Sequence, residues 1–83
     1  CDVIILGCRS KSYFTPYLRS ARANPVIWTT GNMAPEAYTL HDAISAYIAG
    51  KPAEEIRNAA AKAYDKYQKC GLGGARSLLV TGY

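Results

Sequence analysis

Val3-Ile4-Ile5-Leu6 is apolar at every position, and that run constrains the fold more than any other stretch of the chain. A strand with one wet face alternates apolar and polar residues, so a run without alternation reads as a strand covered on both faces, as in a parallel sheet flanked by helices. The run stops at Gly7-Cys8 and passes at once into the polar, basic loop Arg9-Ser10-Lys11-Ser12. Ligands of open α/β sheets sit just beyond the carboxyl ends of such strands, which makes Cys8 the position for a nucleophile. Arg9, Lys11 and the backbone N–H groups of the turn are expected to favour its thiolate, the reactive form.

Two further runs repeat the pattern. Val26-Ile27-Trp28-Thr29-Thr30 is rich in β-branched and aromatic residues and ends at the turn pair Gly31-Asn32. Its polar end, Thr29-Thr30, is expected on the same carboxyl edge as Cys8. Ser77-Leu78-Leu79-Val80-Thr81 supplies a last strand after the glycine-rich connection Gly71-Leu72-Gly73-Gly74.

Helical patterns separate the runs. Thr15-Pro16 looks like a capped start for a short helix reaching about Ala23, where Asn24-Pro25 ends it. From Pro35 to Ala49, the residues Ala37, Leu40, Ile44, Tyr47 and Ile48 recur at helical steps, with Gly50 as the stop. A third helix opens at Pro52 with Glu54 and Glu55 at its positive end. It presents Ile56, Ala59, Ala60, Ala63, Tyr64 and Tyr67 on one face and ends at Lys69-Cys70-Gly71. The order β-α-β-α-α-β predicts a small parallel three-stranded sheet with right-handed crossovers, one α/β domain over residues 1–83. Sheets of this kind usually extend further, and the start at Cys1-Asp2, which enters a strand almost at once, reads as a cut that leaves the remainder upstream.

The bulk numbers narrow the function classes. With 49% hydrophobic and 19% charged residues the chain is globular, and no apolar run is long enough to span a bilayer. The net charge of +4 comes from scattered cations, and Tyr47, Tyr64 and Tyr67 fall at helical core spacing, which argues against nucleic acid as the partner. Cys1, Cys8 and Cys70 form no CxxC pair and are odd in number. Reduced thiols in a cytoplasmic setting are therefore expected, with neither a zinc site nor another cofactor. His41, beside Asp42 in the middle helix, reads as a helix-edge histidine.

The nucleophile run and the second strand carry a resemblance. Val3-Ile4-Ile5-Leu6-Gly7-Cys8-Arg9-Ser10, followed by Asn24-Pro25-Val26-Ile27-Trp28-Thr29-Thr30-Gly31-Asn32-Met33-Ala34-Pro35-Glu36-Ala37-Tyr38, is similar to the caspase-like and legumain-like cysteine peptidases. Leu6 stands where that family usually has Asp or Glu. The resemblance implies the C-terminal part of a larger caspase-like sheet, with Cys8 as nucleophile and Arg9, Ser10, Trp28, Thr29 and Thr30 as substrate-binding residues. It also implies a peptide or protein substrate and an upstream segment or subunit that brings the catalytic histidine, while the lack of a spanning apolar run leaves no membrane partner expected. The implied chemistry is thiolate attack on a peptide carbonyl, with the oxyanion held in part by the backbone N–H of Cys8.

Two other readings use the same residues. Gly7 to Ser12, with Thr15 capping the next helix, would form an anion cradle in a phosphate-binding or phosphocysteine carrier domain. Alternatively, the chain is a non-catalytic α/β interaction module in which Cys8 packs and Pro35, Tyr38 and Tyr83 meet a partner.

Overall fold

The structure is a computed structural model, and it describes residues 1–32, 35–68 and 78–83, the side chains of 67 and 68 excepted. Its elements are β1 (Asp2–Ile4), α1 (Ser10–Ser20), β2 (Asn24–Thr29), α2 (Ala37–Ile48), α3 (Ala53–Gln68) and β3 (Leu79–Val80). The expected order of strands and helices is present. The glycine-rich connection 71–74, Cys70 and the end expected for the third helix lie outside the described residues.

The sheet has the order β1-β2-β3, with β2 in the centre. β1 runs parallel to β2, but β3 runs antiparallel to it, so the sheet is mixed and the all-parallel expectation is corrected. The number of helices in the connection explains the reversal. One helix between strands returns the chain to the amino edge, where a parallel strand begins. Here two helices intervene. α2 ends near the amino edge, where Tyr47 bonds Asp2, and α3 carries the chain back, so β3 starts opposite the end of β2, Leu79 facing Thr29.

The register holds one irregularity. Val3 faces Pro25 and Ile4 faces Ile27, which leaves Val26 as an extra residue in β2. This bulge suspends alternation for one step. Val26 and Ile27 both join the cluster under α2 and α3, with Leu6, Ala43, Ile56, Ala60, Ala61, Tyr64 and Leu79. Trp28 turns to the opposite face and packs with Leu18 and Ala23 beneath α1, flanked by Val3, Ile5 and Val80. The result is a sheet with α1 on one face and the α2–α3 pair on the other.

α1 begins at Ser10, five positions before the expected start at Thr15, and Pro16 lies inside it. A proline removes one helical hydrogen bond and disfavours the helical region for the residue before it. The helix runs through nonetheless, because its first turn is fixed from outside by the end of β2, and Pro16 itself is exposed. Thr15 does not cap; its hydroxyl donates to the Lys11 carbonyl one turn back.

Both α1 and α2 end in the same way. At α2, the N–H of Gly50 donates to Tyr47 O and that of Lys51 to Ala46 O, with Gly50 at φ 78°. At α1, the N–H of Arg22 donates to Arg19 O and that of Ala23 to Leu18 O, with Arg22 at φ 55°. Each is a Schellman closure, in which a left-handed residue lets the chain satisfy the last carbonyls. Glycine fills the left-handed position in one and arginine in the other.

The apolar stripe expected to bury α2 does not. Thr39 and Ala43 are its buried residues, while Leu40, Ile44, Tyr47 and Ile48 are exposed. The expected core role of Tyr47 is therefore corrected, whereas Tyr64 is buried as expected. Helical spacing shows which residues share a face, but a face is buried only where a neighbour exists to cover it. No helix among the described residues is long and apolar enough to cross a membrane.

Candidate functional site

The carboxyl edge of β1 and β2 gathers most of the residues singled out in the sequence. After Leu6 the chain turns through Gly7, Cys8 and Arg9 into α1. Arg9 is left-handed, at φ 50° and ψ 36°, a conformation uncommon for a residue with a side chain. Its N–H donates to Gly31 O at 2.9 Å, which ties the turn to the loop leaving β2.

Ser10 and Thr29 form the buried base of this edge. The N–H of Ser10 donates to the Thr29 hydroxyl at 3.2 Å, and the N–H of Thr29 donates to the Ser10 hydroxyl at 2.8 Å. Each hydroxyl then donates onward, Ser10 to Ile5 O and Thr29 to Gly7 O. Thr29 thus supplies the acceptor that the first N–H of α1 lacks within the helix. Both residues are almost wholly excluded from solvent.

The candidate residues therefore divide into two groups. Cys8, Arg9 and Thr30 are solvent-exposed. The Cys8 thiol is not in a disulfide. Thr30 is held from the other side, where its N–H donates to Leu78 O at 2.9 Å. Ser10, Thr29 and Trp28 are buried beneath this surface. Trp28 donates its indole N–H to Gly82 O at 2.8 Å and meets the ring of Tyr83 edge-on, with centroids 5.6 Å apart. Lys11 extends over the Trp28 ring at 6.0 Å.

Beyond its place in the Gly31-Asn32 turn, Gly31 carries two constraints on this edge. Its carbonyl receives the Arg9 N–H, and a Cβ added to it would lie 2.5 Å from Leu78 Cδ2. The pair Gly31-Asn32 signalled a turn, but nothing local in the sequence announced the contact with Leu78 from the far end of the chain.

His41 is exposed on α2, its Nδ1 3.1 Å from Asp42 Oδ1. It lines an open groove of about 350 Å³ between α2 and α3 with Asp42, Ser45, Ala59, Lys62, Ala63 and Lys66. Among the described residues no group of three or more His, Cys, Asp or Glu side chains converges in a way that would hold a metal ion. The perturbed titrating groups lie at the other end of the sheet. Tyr47 donates to Asp2 at 2.7 Å, and that bond, with a second from Asn24, lowers the Asp2 carboxyl below its ordinary value while raising the Tyr47 phenol.

Comparison with known proteins adds no relative: no family model, curated protein or solved structure matches this chain. What the edge can do follows from its own groups. It offers an exposed thiol on a short turn, with a cation beside it in sequence and a buried hydrogen-bonded base below. The anion-cradle reading would use the hydroxyls of Ser10, Ser12 and Thr15; Ser12 is exposed, while those of Ser10 and Thr15 already donate to backbone carbonyls.

Proposed function

We propose that this chain supplies the nucleophile of a cysteine endopeptidase of the caspase-like or legumain-like kind, acting together with an upstream segment or subunit that carries the catalytic histidine. One observation carries the reading: Cys8 is solvent-exposed on a turn beyond the carboxyl end of β1, and that turn is pinned to β2 through Arg9, Ser10 and Thr29. A nucleophile works best on a rigid support that leaves its reacting atom open, because orientation then costs little at the moment of reaction.

In this reading the Cys8 thiolate attacks the peptide carbonyl carbon, and a C–S bond forms as the carbonyl electrons move to oxygen. Collapse of that oxyanion breaks the C–N bond, and the partner's histidine gives its proton to the leaving amine. Water then cleaves the thioester, returning the thiol and releasing the acid. Arg9 and Thr30 border the substrate from the exposed surface, while Ser10, Thr29 and Trp28 hold the floor in place. A reducing, cytoplasmic setting suits such a thiol.

The test is alkylation by a peptidyl electrophile, with the modified thiol located by mass spectrometry among Cys1, Cys8 and Cys70. Labelling confined to Cys8, dependent on the histidine-bearing segment and abolished by Cys8→Ala, is expected. Equal labelling of all three thiols, or none at Cys8 in the presence of that segment, rejects the reading.

A further inference from the structure

Three unpartnered features lie on one side of the molecule. The first is the outer edge of β1: among the described residues no strand pairs with it, and Val3, Ile4 and Ile5 are only half-buried although wholly apolar. Ile5 donates its N–H to Ile27 O on the β2 side, so strand alternation directs the N–H and C=O of Ile4 to the open side. β1 is short, at three residues, and opens on the charged Asp2, but the Val3-Ile4-Ile5 stretch of this edge carries no lysine, proline or charge.

The second feature is an aromatic cluster on α1. Tyr13, Phe14 and Tyr17 touch one another, with ring centroids 4.8 to 6.3 Å apart, and Tyr13 is 65% exposed. Arg19 stacks on Tyr83 at 4.7 Å, which marks the β3 flank of α1. At about 100° per residue, Tyr13 and Tyr17 fall on the other flank, toward β1. The third is the apolar stripe of α2. His41, Asp42 and Ser45 face α3 across the groove, while Leu40, Ile44, Tyr47 and Ile48 occupy the opposite flank, and Tyr47 reaches Asp2 at the start of β1. Ile48 is 78% exposed.

An open strand edge with an apolar flank above it and another below is the cross-section of an α/β sheet interrupted between strands. We infer that this side docks a strand-bearing partner: an apolar β-strand that adds to β1, with covering helices that meet the Tyr13/Phe14/Tyr17 cluster and the Leu40/Ile44/Ile48 stripe. Charge distinguishes this partner from a second copy of the chain. Residues 9–22 hold Arg9, Lys11, Arg19 and Arg22 and no carboxylate, while the other six cations are matched by all six Asp and Glu, so the whole net charge of +4 lies on and around α1. Two copies pairing β1 to β1 about a two-fold axis would set these basic segments side by side on one face of the joint sheet. A different chain segment, with carboxylates on its α1-facing side, meets them favourably. The inference deepens the proposed function by giving the chemistry of the histidine-bearing partner, yet it stands on the strand edge and not on the reactivity of Cys8.

The test uses the full chain and a synthetic peptide with Val and Ile through its middle and glutamates at both ends, alongside the same peptide with lysines at the ends. Amide exchange at Ile4 is the readout. The glutamate peptide is expected to slow exchange at Ile4 by at least about tenfold. It is also expected to bind more tightly than the lysine peptide, by a margin that shrinks with salt. Unchanged exchange at Ile4, equal binding of the two peptides, or an Ile4 amide already protected in a dimer of the chain overturns the inference. Because Cys8 alkylation is measured separately, a failed edge and an unreactive thiol give different results.

Discussion

Ser10 and Thr29 hold each other by a reciprocal pair of hydrogen bonds, each backbone N–H donating to the other residue's hydroxyl across 19 positions of sequence. Each hydroxyl is also a donor, so one pair of small side chains satisfies four backbone groups: two amides and the carbonyls of Ile5 and Gly7. A serine at the first position of α1 and a threonine at the last position of β2 thereby start a helix that has no side-chain cap of its own. The same contacts decide where Cys8 stands.

Thr29→Val keeps the side-chain shape and removes the hydroxyl. Gly7 is exposed and its carbonyl regains water, but the Ser10 N–H stays buried without an acceptor, a loss of about 1–3 kcal/mol. Ser10→Ala strands the Thr29 N–H at a similar cost. Opening either half admits water to the other, so the double variant is expected to lose less than the sum, by about 0.5–1 kcal/mol. Urea unfolding of the four proteins measures this, and strict additivity would show that the two halves do not act as a unit.

The Asp2–Tyr47 bond predicts a pH window. Asp2 is held below its ordinary 3.8, so its contribution is present above the unfolded carboxyl's pKa and disappears as pH falls through the lower folded value. Tyr47 is held above its ordinary 10.0, so its contribution is present below the unfolded phenol's pKa and disappears as pH rises through the raised folded value. Tyr47→Phe is therefore expected to lower the melting temperature slightly across the neutral range, and the difference from the parent chain should vanish at both extremes. Both groups are exposed, so the effect is small. A difference independent of pH would place the loss in packing instead of this bond.

How far the sequence carries depends on whether the deciding contact is local. The stop at Gly50 was legible because glycine advertises a left-handed position, whereas the identical closure at Arg22 was not, since arginine carries no such signal. The existence of all six elements was legible, the strands from unbroken apolar runs, α1 from its start and stop residues, and α2 and α3 from helical spacing. The observed start of α1 was not, because it rests on Thr29, contributed by another strand. Similarly, the direction of β3 follows from the paths of two helices, which single-element patterns do not encode. The exposed stripe of α2 shows the same limit, because helical spacing sets which residues share a face and not whether a neighbour covers it. At the candidate site, the carboxyl-edge position of Cys8 and the burial of the strand that holds Trp28 could be read from apolar runs, but what covers Trp28 could not. That cover comes from Gly82 and Tyr83, at the far end of the chain.

Tyr83 is the lid of that burial. Its hydroxyl donates to Ala23 O at 2.8 Å while its ring covers Trp28. Tyr83→Ala is expected to cost about 1–2 kcal/mol, from the lost ring pair and hydrogen bond. It should also shift Trp28 emission to the red as water reaches the indole. Because the chain has one tryptophan, the emission reports this site alone. Tyr83→Phe should retain the blue emission with a smaller loss of stability, and a red shift as large as that of the alanine variant would assign the effect to the hydroxyl.

Arg9 and Arg22 carry the same backbone strain in different settings, and the pair separates strain from use. A left-handed residue with a Cβ costs roughly 1–2 kcal/mol, part of which glycine returns through its larger unfolded-state entropy. Arg9→Gly and Arg22→Gly are each expected to stabilise the fold by about 0.5–1 kcal/mol, read from the urea midpoint. Arg22 closes a helix and lies away from Cys8 in sequence, so its replacement should leave peptidyl labelling of the thiol unchanged. Arg9 borders the thiol, and under the proposed function its replacement should slow that labelling even as stability rises. A costly side chain kept at a strained position then has its explanation in binding. If Arg9→Gly is more stable and labels at the parent rate, Arg9 has no part in the site; if both variants are less stable, the left-handed geometry is not a source of strain at either position.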